Sequence, residues 1–75
     1  MIYLFIATES YRRSVINAKK LTPQDYKIIK KYEDILGYKD AKLYYERDLL
    51  HKMKPRDYSM ITTYARQHDI ELVEL

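Results

Sequence analysis

Leu21-Thr22-Pro23-Gln24-Asp25-Tyr26-Lys27-Ile28-Ile29-Lys30-Lys31-Tyr32 recurs thirty-two residues later as Met53-Lys54-Pro55-Arg56-Asp57-Tyr58-Ser59-Met60-Ile61-Thr62-Thr63-Tyr64. Five of the twelve positions are identical, and two more exchange one apolar side chain for another. Both prolines of the chain lie in this phrase, with four of its nine tyrosines. A period of this length is the mark of a repeated supersecondary unit, here with units 11–46 and 45–75. Shared helix-start chemistry would produce part of the same echo, since proline suits the first helical turn and aspartate its third position.

The first copy has the features of a helix. Thr22 can cap it, Pro23 fits its first position and Asp25 its third. Leu21, Ile28, Ile29, Tyr32, Ile35 and Leu36 then fall within about 120° of arc, opposite Lys27, Lys30, Lys31 and Asp34. Gly37 supplies a C-terminal stop. The pattern predicts an amphipathic helix over 23–36. The second copy predicts a helix from Pro55 to about Gln67. It should be the shorter and weaker of the two, because Lys54 caps poorly and Thr62 and Thr63 have low helix propensity.

Working outward, Ile2–Thr8 is β-branched and aromatic at odd and even positions alike, as in an interior strand. Residues 41–46 and 70–75 follow the two copies and also have strand composition. Tyr11-Arg12-Arg13-Ser14-Val15-Ile16 resembles Tyr45-Glu46-Arg47-Asp48-Leu49-Leu50. These two segments read equally as short strands or as turns of helix. The fold expected is one α/β (α+β) domain over 1–75. It is a small sheet of three to five strands with two amphipathic helices on one face, and a pseudo-duplicated, split-βαβ ferredoxin-like arrangement is one form of it.

Composition narrows the functional classes. Seventy-five residues with no cysteine exclude a disulfide framework and a thiolate metal site. A single glycine leaves no material for a phosphate-binding loop, a nucleophile elbow or a dinucleotide turn. Glu46, Asp48 and His51, and the pair His68-Asp69, match no metal-ligand spacing. Ser10, Ser14 and Ser59 lack the turn and base that activate a nucleophile. The expectation is therefore a non-enzymatic protein without cofactor or metal. The opening apolar run lacks a basic leader and is too short to span a bilayer, which points to a cytoplasmic location.

What remains is recognition. Nine tyrosines against one phenylalanine exceed the needs of so small a core, and tyrosine is enriched at binding surfaces. Residues 1–32 carry a net +5, and residues 33–75 a net −2. The surface expected for partner binding comprises Tyr11, Tyr26, Tyr58, Arg12, Arg13, Lys27, Lys30 and Lys31. On the predicted helices Tyr26 and Tyr58 would lie near solvent, while Tyr32 and Tyr64 face the core. The leading expectation is an inhibitor, adaptor or regulator that covers a protein partner, of the kind phages and mobile elements carry. The alternative is a nucleic-acid-binding regulator using the basic segment 11–31, which includes Lys19 and Lys20. An exposed edge strand offers a route to self-association.

Overall fold

The computed structural model describes residues 2–75. Strand β1 (Tyr3–Ile6) forms where the apolar run was expected, and its burial on both faces places it inside the sheet. It is flanked by β2 (Tyr26–Ile28) and β3 (Lys42–Tyr45), and β4 (Glu71–Glu74) lies beyond β3. The order is β2-β1-β3-β4, and every pairing is parallel.

Parallel neighbours require crossovers. Helix α1 (Glu9–Lys19) joins β1 to β2. A segment containing the 3₁₀ turn Tyr32–Ile35 joins β2 to β3, and α2 (Arg47–Lys52) with α3 (Pro55–Gln67) joins β3 to β4. The chain moves one way across the sheet from β1 to β2, then returns the other way to β3 and β4. Right-handed crossovers therefore place α1 on one face and the remaining connections on the other.

Side chains follow this division, since successive strand residues point to opposite faces. Leu4, Ile6, Ile29 and Leu43 pack with Ile35, Leu50, Ile61, Ala65 and Ile70 in one core. The other face carries an aromatic row. Phe5 lies 5.8 Å from Tyr44 and 5.8 Å from Tyr26, centroid to centroid, and Tyr3 stacks 6.1 Å from Tyr44. The ammonium of Lys19, in the last turn of α1, stands 5.6 Å from the Tyr3 ring and 5.9 Å from Tyr44. None of α1's own residues is fully buried, and Val15 and Ile16 are half-buried.

The α/β class thus holds, while its expected arrangement is corrected. Helices lie on both faces, and the all-parallel sheet is not the antiparallel split-βαβ plan. The helix expected over 23–36 does not form. In its place stand a 3₁₀ turn (Pro23–Asp25), strand β2 and the turn at Tyr32–Ile35. Tertiary demand overrides the periodic pattern: without β2, the doubly buried β1 would keep a free edge of unpaired amides and carbonyls. Ile28-Ile29 is well suited to fill it, being β-branched, and Ile29 N–H donates to Phe5 C=O at 2.8 Å. The second copy has Met60 in place of Ile28 and forms the longest helix of the described residues, so the expected order of strengths is reversed.

The sequence repeat is accordingly not a structural one. Its copies instead meet each other. Tyr32 N–H donates to Asp57 Oδ1 at 3.1 Å, and Gly37 N–H donates to Tyr64 Oη at 2.9 Å. The Tyr32 and Tyr64 rings are 6.5 Å apart, edge to face. Residues 11–16 lie in α1, and 45–50 span the end of β3 and most of α2, which resolves both as predominantly helical. Among the described residues no helix is long and apolar enough to cross a membrane.

Candidate functional site

Ligand sites in parallel sheets sit outside the carboxyl ends of the strands, where the connections diverge to opposite faces. Here that point lies between β1 and β3, and the chain fills it itself. Thr8 N–H and Thr8 Oγ–H both donate to Glu46 Oε1, the hydroxyl at 2.7 Å. Glu46 follows β3, so its carboxylate sits at the start of α1, bonded to the N-cap residue Thr8, whose own side chain caps no helix amide. A negative charge at a helix N-terminus is favourable, and this one is internal.

The neighbouring carboxyl ends, those of β1 and β2, are open. A crevice of about 370 Å³ lies there, floored by Ile6, Ala7, Ile28, Ile29, Leu49 and Met53. Arg12, Lys30 and Lys52 line it, and no carboxylate does. Each cation is placed by local structure. The first turn of α1 presents Arg12, whose guanidinium donates to the Ala7 carbonyl. Lys30 lies just beyond β2, where Lys30 and Lys31 N–H donate to Asp34 Oδ2 at 2.9 and 3.2 Å. Lys52 comes from the last turn of α2, which lies close enough to share the crevice. Neither Lys30 nor Lys52 forms an ion pair among the described residues.

A second cavity continues the crevice, sharing Arg12 and Ile28 with it. It runs between α1 and β2 past Arg13, Ile16, Asn17 and Tyr26, with Glu9 as the only acid on its walls. That carboxylate is engaged by Arg13 at 2.6 Å. The two cavities make one groove along the edge strand β2, lined by four cations on a mostly apolar floor.

Two carboxylates are shifted nearby. The Lys30 N–H, followed by that of Lys31, holds the Asp34 carboxyl below its ordinary value, and the lysine charges add to this. The Thr22 N–H and hydroxyl do the same for Asp25, so the predicted capping box exists although it caps only a 3₁₀ turn. Neither carboxylate lines the groove.

The structure brings together Arg12, Arg13, Tyr26 and Lys30 of the residues expected to bind a partner. Lys31 is exposed beside Lys30 without lining the groove, and Lys27 stands over the Tyr38 ring at 5.5 Å. Tyr11 is the one tyrosine that is exposed, at 51%, on α1. Tyr26 is on a strand rather than at a helix edge, half-buried with its ring against Phe5. Tyr58 is half-buried on α3, 5.4 Å from His51, and lines two further cavities, one beside β4 and one that shares Met53 with the crevice. The expected single tyrosine surface is thereby divided.

Lys52, Leu49 and Met53 were not singled out by the sequence. Their placement depends on α2 turning back over β1 and β2, which an undecided strand-or-helix segment could not reveal. Among the described residues no three His, Asp or Glu side chains converge as a metal site. No protein-family model, curated protein or solved structure matches this chain.

Proposed function

We propose that this protein is a small non-enzymatic binding module for nucleic acid, a steric regulator that holds a phosphate backbone in the groove along β2. The observation that carries this reading is the convergence of Arg12, Arg13, Lys30 and Lys52 on one apolar-floored groove. Phosphates supply the counter-charges that Arg12, Lys30 and Lys52 lack among the described residues, while Arg13 is shared with Glu9, and sugars and bases suit the apolar floor. In a salt titration with a labelled single-stranded oligonucleotide, four phosphate contacts give a slope of log affinity against log salt of about −3. No retention of DNA or RNA at low salt would remove this reading.

A second reading, a protein partner, is favoured by a different observation. Tyr58, Thr62, Ala65, Arg66, Ile70 and Leu72 line a cavity between α3 and the edge strand β4, and Leu72 is exposed there. Such an edge can accept a partner's strand or that of a second copy. Its contacts are mostly apolar, so its affinity depends little on salt. Tyr58→Ala separates the two: it weakens a protein complex formed on that side and leaves oligonucleotide affinity unchanged.

A further inference from the structure

We propose that the crevice at the carboxyl ends of β1 and β2 is a pocket for one unstacked nucleotide, which makes the protein selective for single strands over duplex. This rests on the nucleic-acid reading and specifies its substrate. Ile28, Leu49 and Met53 are the half-buried apolar side chains of the crevice, and its accessible floor lies between the cations that line it. A duplex presents phosphates outward and keeps its bases stacked inside, so it reaches the rim and leaves this floor uncovered. A splayed base can be buried against Ile28, Leu49 and Met53 while its own phosphate stays at the rim.

The rim is made for one such phosphate. Arg12 of α1, Lys30 of the segment after β2 and Lys52 of α2 line the crevice, and no carboxylate does. The Ala7 carbonyl holds Arg12 in place through one of its N–H groups, and the other donors of the fork are left for a ligand. A volume of about 370 Å³ lies at the small end of ligand pockets and suits a single base with its sugar. The cavity beyond, past Arg13 and Tyr26, gives the flanking strand a path out.

Fluorescence anisotropy at low salt tests this with three probes of one length: a mixed-sequence single strand, its duplex, and the same strand with abasic sites throughout. The intact single strand should bind roughly tenfold more tightly than either of the others, the change expected when one base buries roughly 55 Å² of apolar surface. Lys52→Ala should weaken single-strand binding several-fold with an unchanged melting temperature. Met53→Ala should narrow the preference over the abasic strand, with the melting temperature measured alongside. Equal affinity for intact and abasic strands, or for duplex, overturns the pocket and leaves the nucleic-acid reading standing. So does a loss of binding in Arg13→Ala with none in Lys52→Ala. Failure of all three probes to bind overturns the underlying reading itself, and full competition by poly-glutamate does the same by reducing the groove to a nonspecific anion surface.

Discussion

Tyr64 ends in a hydroxyl that accepts the Gly37 N–H, and this bond joins those of Tyr38 N–H to Ile35 C=O and Asp40 N–H to His68 C=O in holding the return from the Tyr32–Ile35 turn toward β3. Tyr64→Phe keeps the ring and deletes the acceptor, and should cost about 1 kcal/mol in a denaturant titration. Gly37 itself adopts φ +92°, which side chains rarely tolerate, although a Cβ there would meet nothing within 4 Å. Gly37→Ala should therefore destabilise by about 1 kcal/mol through backbone strain alone. Asp34 adds a pH dependence. Its folded carboxyl is held below the ordinary value of 3.8, so the stability it contributes is present above that value and is lost as pH falls through the lower folded one. An Asp34→Ala variant should melt below wild type near neutral pH, and the gap should close in acid. At this scale the sequence was legible where chemistry is local, as in the Thr22–Asp25 cap. It was silent on Asp57, whose partner, the Tyr32 amide, is 25 residues away.

The elements differ in how firmly they are held. Ile61 and Ala65 of α3 are fully buried, whereas α1 contributes no fully buried side chain. Ile61→Ala should cost about 2–5 kcal/mol by leaving a cavity, and Ile16→Ala clearly less, since its site is already partly open. In native-state hydrogen exchange, α1 amides should exchange through openings far smaller than global unfolding, while those of β1, β3 and α3 follow the global event. Uniform protection across α1 and α3 would contradict this. Three strands and α3 could be read from the sequence because their patterns and tertiary roles agree. Residues 23–36 could not, because a helix-like spacing of apolar side chains there serves two turns and an edge strand. What decides that segment is the open edge of β1, a property of the assembled sheet.

For the whole molecule, folding redistributes a charge asymmetry that the sequence shows only as a count. Lys19 is spent on the aromatic face and Lys27 on Tyr38, whereas Lys52, from the half with net −2, joins Arg12 and Lys30. The basic segment was therefore a partial guide to the groove, and its other wall could not be foreseen without the course of α2. The eight tyrosines other than Tyr11 are buried or half-buried. Tyr3, Tyr26 and Tyr44 stand in the row beneath α1, and Tyr32, Tyr38, Tyr45, Tyr58 and Tyr64 against the core on the other face, so their surplus answers both faces of the sheet. The diverging point of the connections is also testable. Glu46→Ala should lower stability and vacate the start of α1, so that added sulfate raises the melting temperature of the variant more than that of wild type. An equal response in both would mean that Glu46 does not occupy an anion position.

Glu46 at the start of α1 also bears on how long a ligand stays. With the Thr8 amide and hydroxyl already engaged by Glu46, an anion arriving at the groove meets ammonium and guanidinium groups, most of them on flexible stems. On the nucleic-acid reading, such contacts form and break quickly, and an apolar pocket with no group fixed on the base edges distinguishes bases little. Exchange should then be fast and sequence preference slight, and occupancy of a strand would depend on how many copies surround it.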